Sequence, residues 1–303
     1  MSRGPSTRTL VRQVARGWRW GSRPPLPAGA EPHRLPAPSR EFPTAWARTA
    51  PARAVRAGLL QGVMRPLVWH ETAPVVHGRD ALDGLDGPVI FVANHSSHLD
   101  TPLVLCSLPP ERRETTVVAA AADYFFDSAW RAAGTALLFG TVPIDRRGGA
   151  RTPTTTPGEL LAAGWSLVIF PEGTRTPDGT LQDLRPGAAY LAVQAGVPVV
   201  PVAIRGSYTA MPRGRSWPQR GRTPVSVRYG TPLSPAADEP PRAFTERITG
   251  ALRQLLDEDR TTWWEAARRA ATPAGTAGAA AAPKARWRTV WEATEPLSEG
   301  RRG

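Results

Sequence analysis

Residues 89–100 read VIFVANHSSHLD, an apolar run followed at once by a polar turn. A short run of consecutive β-branched and aromatic residues is typical of a strand buried on both faces. A helical pattern begins near Thr101, so a strand, a turn and a helix follow one another here. Units of this kind build a parallel sheet with helices on its faces.

The alternation of apolar runs and helical patterns continues along the chain. Further strands are predicted over Leu67–His77, Thr116–Ala121, Thr141–Ile144, Ser166–Phe170, Val197–Ile204 and Val225–Tyr229. Helices are predicted over Thr101–Leu108, Phe125–Leu138, Gly158–Ala163, Gly187–Ala195 and Pro241–Arg269. We therefore predict the α/β class, with a single domain over residues 45–270 and a mostly parallel central sheet flanked by helices.

Two terminal segments differ from this body in composition. Residues 1–44 form an Arg/Pro-rich arm and residues 271–303 an Ala/Pro-rich tail, and neither shows apolar periodicity. Such segments bury too little apolar surface to offset the entropy lost on ordering. We therefore predict that both are disordered.

Composition narrows the classes of function. The 303 residues carry a net charge of +12, yet residues 61–270 are nearly neutral at +1 and residues 1–60 hold +9. No basic folded motif appears, so nucleic acid is not a predicted partner. The single cysteine, Cys106, excludes an internal disulfide and a thiolate zinc cluster. No run approaches the ~18–20 apolar residues of a membrane-spanning helix, so integral insertion is not predicted.

An amphipathic helix is predicted over residues 45–68, at the start of the domain. Its apolar residues recur at every fourth position, at Val55, Leu59, Val63 and Leu67. The arginines beside them are Arg53, Arg56 and Arg65. Such a helix packs on the domain or lies on an anionic membrane surface, and the sequence leaves both open.

The polar turn after the first buried strand carries the strongest chemical signal. His95 stands at the carboxyl end of the strand, where α/β sheets place their sites. Asp100 opens the next helix, and its carboxylate can orient the imidazole so that the other ring nitrogen acts as a general base. A helix-capping aspartate beside a loop histidine is the alternative. The segment lacks the Gly-x-Ser-x-Gly elbow of a serine nucleophile, and Cys106 falls in an apolar helix, so neither residue type is supported as a nucleophile. The histidine spacing of zinc sites is also missing, so a metal is not supported.

A second signal is FPEGTR at residues 170–175, again directly after a buried strand. Arg175 offers a guanidinium fork suited to phosphate, although a solvated arginine in an ordinary turn has the same pattern. Between the two signals, residues 140–146 read GTVPIDR, another strand edge that ends in an arginine, Arg146. A fourth block, VVPVAI, covers residues 199–204.

The order and spacing of these four blocks resemble those of the glycerolphosphate/lysophosphatidic acid acyltransferase family. The first block of that family is Asn-His-x-Ser-x-x-Asp and the third is Phe-Pro-Glu-Gly-Thr-Arg. Residues 94–100 and 170–175 match both without a gap. The resemblance covers roughly residues 60–235 and neither terminal segment.

The resemblance implies an O-acyltransferase. In such an enzyme a fatty acyl group moves from acyl-CoA or acyl-carrier protein, as co-substrate, to the hydroxyl of lysophosphatidic acid, giving phosphatidic acid for phospholipid synthesis. By the same resemblance the catalytic residues are His95 and Asp100. Those that bind the acceptor's phosphate and glycerol are Arg146, Glu172, Gly173, Thr174 and Arg175, and those that support the site are Asn94, Ser97 and Arg185. No metal and no other cofactor is implied.

One departure from the family pattern leaves the acceptor open. The family often has Phe-Lys-x-Gly after the third block, whereas residues 184–187 read LRPG, which keeps a cation at Arg185. Another lysolipid, a glycolipid or an ornithine lipid is therefore an alternative acceptor, and a non-enzymatic basic membrane-binding protein is an alternative function.

The predicted partners include a membrane surface. Residues 184–237 hold seven arginines and no acidic residue, which indicates either a solvated loop or a rim that meets anionic lipid or the phosphates of coenzyme A. Lipid acceptors reside in the bilayer. We therefore expect a cytoplasmic protein, peripheral on the inner face of the cell membrane.

Overall fold

The structure, a computed structural model, describes residues 43–121, 129–144 and 156–259. In these ranges seven strands form one sheet in the order β1-β7-β6-β2-β5-β3-β4. The strands are Thr72–His77 (β1), Ile90–Ala93 (β2), Thr116–Ala121 (β3), Thr141–Ile144 (β4), Ser166–Ile169 (β5), Val199–Arg205 (β6) and Thr223–Tyr229 (β7). All neighbours are parallel except β6 and β7, which are antiparallel. The predicted α/β class with a mostly parallel sheet is confirmed.

Helices cover both faces of the sheet. They are Ala50–Leu59 (α1), Arg65–Glu71 (α2), Asp100–Ser107 (α3), Pro110–Glu114 (α4), Ala129–Phe139 (α5), Pro157–Ala162 (α6), Gly187–Ala195 (α7), Ser207–Ala210 (α8) and Pro241–Glu258 (α9). A π-helical turn, Leu60–Met64, joins α1 to α2, and 3₁₀ turns span Ala45–Arg48 and Arg79–Leu82. Among the described residues, none of these helices combines the length and the apolar character needed to cross a bilayer.

Side chains from the strands enter two separate apolar layers. In β2, Phe91 and Ala93 pack with residues of α2 and α3, whereas Ile90 and Val92 pack with residues of α6, α7 and α9. This burial on both faces explains the unbroken apolar run of the β2 sequence. Because β2 and β5 are parallel neighbours, their carboxyl ends lie side by side, and both polar blocks begin there.

Capping chemistry sets the ends of two helices. At the start of α6 the Glu159 amide donates to Thr156 Oγ1 at 3.2 Å, and the Thr156 amide donates to Glu159 Oε2 at 2.8 Å. Helix α7 ends at Gly196, whose φ of 63° favours a residue without a side chain. The bounds predicted for α7 from the sequence are confirmed.

The beginning of the first predicted strand is wrong. Residues 67–71 belong to α2, and β1 begins only at Thr72. Pro66 lies in the first turn of α2, directly after the π-helical turn Leu60–Met64. The helix then closes through Thr72 Oγ1, which donates to the Val68 carbonyl at 2.6 Å.

The amphipathic helix packs on the domain by a face that differs from the predicted apolar stripe. Its buried residues are Ala52, Arg56, Leu60 and Val68. Two members of the stripe, Val55 and Val63, are 51% and 57% exposed. Packing on the domain is therefore confirmed, while these two side chains point away from it.

Two of the seven arginines in residues 184–237 are in strands, Arg228 within a predicted strand and Arg205 one residue beyond another. Arg205 ends β6 and Arg228 lies in β7, and each approaches a carboxylate oxygen of Asp259, at 3.6 and 3.5 Å. These ion pairs tie the end of α9 to the sheet. The arginines that remain in the connection between α8 and β7 are Arg213, Arg215, Arg220 and Arg222, all of them exposed.

Other predictions fall outside the described residues. They are the disorder of residues 1–42 and of the 271–303 tail, the start of the helix predicted over Phe125–Leu138, and the part of the last predicted helix beyond residue 259. Domain limits of 45–270 stay a prediction. Cys106 lies within α3 among core residues, as predicted, and burial raises the pKa of its thiol to about 11.

Candidate active site

Asn94 directly follows strand β2, and its side chain bonds to the neighbouring strand β6. Its Nδ2 donates to the Ile204 carbonyl and its Oδ1 accepts from the Ile204 amide, both at 2.8 Å. The side-chain amide thus continues the pairing with β6 while the main chain leaves the sheet. Asn94 thereby fixes the point at which the 95–99 turn departs, which agrees with a supporting role.

Asp100 gathers the turn around one carboxylate oxygen. Its Oδ2 accepts hydrogen bonds from the Ser96 amide at 2.7 Å and the Ser97 amide at 2.8 Å, and lies 2.9 Å from His95 Nδ1. The carboxylate is fully buried at the start of α3. The predicted His–Asp contact is therefore present, and Asp100 also organises the turn that carries the histidine.

The imidazole of His95 faces a cavity. Because an ionised carboxylate only accepts hydrogen bonds, Nδ1 carries the proton toward Asp100 and Nε2 keeps its lone pair. The side chain is 19% exposed and stacks on Phe170, with ring centroids 4.3 Å apart and an angle of 26° between the planes. A base so oriented can take a proton from a hydroxyl group in the cavity.

Glu172, in the turn after β5, bonds to main-chain amides. Its Oε1 accepts from the His95 amide at 2.6 Å and its Oε2 from the Gln182 amide at 3.0 Å. Burial raises the pKa of this carboxyl group to about 7, against the lowering effect of the two amide bonds. The two blocks predicted from sequence are thus in direct contact.

The rest of the 172–175 turn also borders the cavity. Gly173 has a φ of 76°, and a Cβ atom there would lie 3.0 Å from Arg185 Nε, so a side chain would displace that guanidinium. Thr174, Arg175 and Arg185 line the same cavity. Arg175, predicted to bind the phosphate, and Arg185, predicted to support the site, therefore share one cavity with His95, whereas Arg146 lies outside the described residues.

His98 is a site residue to which the sequence assigned no role. It lines the cavity beside the catalytic turn. Burial, together with the charges of Arg175 and His95, lowers its pKa to about 4. A neutral imidazole at this position adds no further positive charge to the cavity beside Arg175 near pH 7.

The cavity has a volume of about 920 Å³ and a mixed lining. Charged and polar side chains come from the two blocks and from other residues that include Glu71, Arg185 and Arg213. The apolar part is lined by residues that include Leu67, Val68, Leu99, Val118, Phe139 and Met211. One space therefore offers a base, several cations and an apolar wall.

Contacts to residues 207–211 also support the turn, and no sequence pattern predicted them. Ser96 Oγ lies 2.9 Å from Ser207 Oγ, and Ser97 Oγ donates to the Met211 carbonyl at 2.8 Å. Both serines are buried, so neither is placed as a nucleophile. No group of three or more His, Cys, Asp or Glu side chains within the described ranges is placed to hold a metal ion.

Comparison with known proteins agrees with this site. Residues 73–205 match the family model described as Acyltransferase. The chain is 31% identical over 190 residues to a 1-acyl-sn-glycerol-3-phosphate acyltransferase of Chlamydomonas reinhardtii, covering 60% of this chain and 54% of that protein. It is 30% identical over 172 residues to the human 1-acyl-sn-glycerol-3-phosphate acyltransferase beta, covering 55% and 59%.

A solved structure shares the fold. The crystal structure of the 1-acyl-sn-glycerophosphate (LPA) acyltransferase PlsC from Thermotoga maritima superimposes with a TM-score of 0.52 at 24% identity, covering 71% of this chain and 87% of that one. The matched region spans only about half the length of the curated relatives.

The His–Asp pair and the turn with Glu172 both lie within residues 73–205, the region that matches the acyltransferase family model. Among its members, the curated relatives given above carry the name 1-acyl-sn-glycerol-3-phosphate acyltransferase. The family predicted from the sequence blocks is confirmed.

Proposed function

We propose that the protein is an O-acyltransferase that moves a fatty acyl group from an acyl thioester to the hydroxyl of lysophosphatidic acid, giving phosphatidic acid. The observation that carries the proposal is that His95, bonded to Asp100, and Arg175 line the same cavity. The names of the relatives point to the same acceptor. Acyl-CoA or acyl-carrier protein serves as co-substrate, and no other cofactor is needed.

The reaction follows from the placement of these groups. His95 Nε2 takes the hydroxyl proton as the oxygen attacks the thioester carbonyl, and Asp100 stabilises the imidazolium that forms. The tetrahedral intermediate then expels the thiolate, which receives the proton from His95. Arg175 and Arg185 hold the acceptor's phosphate, and the apolar wall takes an acyl chain.

The intermediate's oxyanion also needs hydrogen-bond donors. The amides of His95, Ser96 and Ser97 already donate to the carboxylates of Glu172 and Asp100. Since those donors are engaged, and the Gly173 amide donates to the Phe170 carbonyl at 3.1 Å, we assign the oxyanion to the main-chain amides of Glu172 and Thr174 in the turn after β5.

The test is thiol release from acyl-CoA that depends on lysophosphatidate. Replacing Arg175 by alanine should raise the KM for lysophosphatidate about 10- to 100-fold, because a hydrogen bond to a charged group is worth about 1.5–3 kcal/mol. The KM for monoacylglycerol, which has no phosphate, should stay near its wild-type value.

Arg215→Ala is the matched control, since Arg215 is an exposed arginine away from the cavity lining. An equal loss with both acceptors would show that Arg175 has a structural role instead. The acceptor panel also tests the alternative acceptors, because Pro186 and Arg185 of the departing block line the cavity. Preference for a glycolipid or an ornithine lipid over lysophosphatidate would favour them.

We further propose that the protein docks peripherally on the cytoplasmic face of the cell membrane through one helix that residues 50–71 form, made of α1, the π-helical turn and α2. Val55 and Val63, eight residues apart in this segment, are both exposed, as is Trp46 before it. The same helix contributes Met64 and Leu67 to the cavity lining. Docking through the exposed residues would therefore bring the cavity close to its lipid acceptor.

Replacing both Val55 and Val63 by aspartate should weaken binding to anionic vesicles at least about tenfold, because apolar contact is lost and charge repulsion is added. Flotation with phosphatidylglycerol vesicles measures the effect. Val75→Asp is the control, since Val75 is 50% exposed on β1 at one edge of the sheet. Equal binding by the double variant and the control would contradict docking through the helix.

A further inference from the structure

The main chain of His95 is held on both sides by the segment after β5. The His95 amide donates to Glu172 Oε1 at 2.6 Å, and the His95 carbonyl accepts from the Thr176 amide at 2.9 Å. The side chain of His95 is held separately, by Asp100. The imidazole position therefore depends on two supports, one for the ring and one for the peptide groups.

Both carboxylate oxygens of Glu172 accept hydrogen bonds from main-chain amides. Oε1 takes the His95 amide and Oε2 takes the Gln182 amide, across the loop that separates Glu172 from Gln182. The residue is buried. Each oxygen accepts from a main-chain amide, bonds that are strongest in the ionised form, so Glu172 is suited to fixing backbone rather than to contacting a substrate.

The segment on which Glu172 relies is itself fixed. Thr176 Oγ1 accepts from the Gly179 amide at 3.0 Å, and Tyr208 Oη donates to the Pro177 carbonyl at 2.9 Å. The Asp178 carboxylate accepts from Thr180. A support with this many internal bonds can hold a neighbouring loop in place.

We propose that Glu172 is a positioning residue for catalysis, which sets the place of the His95 imidazole by holding the His95 main chain, and that it does not bind the acceptor. The inference rests on the proposed function and revises the role that the family resemblance gives to this residue. A base must lie within hydrogen-bond reach of the hydroxyl it deprotonates, and a displacement of about 1 Å can cost about 100-fold in rate.

The decisive variant is Glu172→Gln. An amide side chain has one acceptor oxygen, so one of the two main-chain amides must lose its acceptor and face an NH₂ group. We expect kcat to fall about 10- to 100-fold while the KM for lysophosphatidate changes less than about twofold. Arg175→Ala should show the opposite result, with a larger change in the KM for lysophosphatidate than in kcat.

The matched control is Gln182→Ala, which removes a side chain but keeps the main-chain amide that Glu172 uses. It should retain wild-type kcat. A rise in acceptor KM at unchanged kcat in Glu172→Gln would overturn the proposal, because it would show that Glu172 contacts the acceptor.

A second readout does not need activity. The Nδ1 proton of His95, bonded to Asp100, should give a low-field resonance in protein labelled with ¹⁵N-histidine, assigned by its loss in His95→Ala. We expect this resonance to move in Glu172→Gln and to stay in Gln182→Ala, and an unmoved resonance in Glu172→Gln would overturn the proposal. If wild type releases no thiol while the resonance moves, the proposed function fails and the positioning role stands.

Glu172→Asp covers the case in which the glutamine variant does not fold. It keeps the charge and shortens the side chain, so an intermediate kcat is expected. Loss of folding in both variants would make Glu172 a general support of the fold and would overturn a specific role in placing His95.

Discussion

Replacing His95 by alanine should lower kcat/KM for thiol release by about 10²–10⁴-fold, the range that a positioned general base contributes. The imidazole is oriented by Asp100 through Nδ1 and presents Nε2 to the cavity. Alanine removes the base but leaves Glu172 and the turn amides in place, because their bonds to residue 95 use the main chain. The acceptor's KM should therefore change little.

His98→Ala is the appropriate comparison, because His98 also lines the cavity, three residues further along the same turn. The Asp100 carboxylate accepts from the Ser96 and Ser97 amides and lies against His95 Nδ1, so it orients the ring of His95. A larger loss of thiol release in His98→Ala than in His95→Ala would mean that the base has been assigned to the wrong histidine.

Asp100→Asn should lower kcat by about 10²–10³-fold, because the negative charge that stabilises the imidazolium is lost. The asparagine Oδ1 can still accept from the Ser96 and Ser97 amides, so the turn keeps its form. Asp100→Ala should in addition lower the free energy of unfolding by about 2–6 kcal/mol. The reason is that two buried amides then lack an acceptor, at about 1–3 kcal/mol each.

Steady-state kinetics and thermal unfolding on the same preparations separate the two effects. Asp86→Asn, at an exposed aspartate, controls for the change of charge alone. Wild-type kcat in Asp100→Asn would show that the aspartate serves the fold and not the reaction, which is the helix-capping alternative that the sequence leaves open.

The sheet was predictable because the apolar pattern reports burial directly. The run at residues 89–93 is apolar on both faces, and the structure buries both, so the strand and the polar turn after it followed from sequence. The end of α2 could not be predicted from sequence. The pattern of residues 67–71 fits a strand and a helix equally well, and tertiary packing decides between the two. The prediction of which residues the amphipathic helix buries was wrong for the same reason. Leu60 and Val68 are buried, whereas Val55 and Val63 are exposed.

In the site, residue identities were predictable and long-range partners were not. His95 and Asp100 are five residues apart, so local geometry sufficed to pair them. The contact of Glu172 with the His95 amide joins residues 77 positions apart, and only the neighbouring positions of β2 and β5 in the sheet bring them together. Ser207 and Met211 belong to the same category, because neither stands in a recognisable block.

The buried position of Cys106 has a practical consequence for experiments on this protein. It is the only cysteine in the chain, and burial raises the pKa of its thiol to about 11, so the reactive thiolate is scarce at assay pH. A colorimetric disulfide reagent should then report the released thiol without a background signal from the enzyme. Cysteines introduced at Val55 or Trp217 could carry a fluorophore or spin label without first removing a native one.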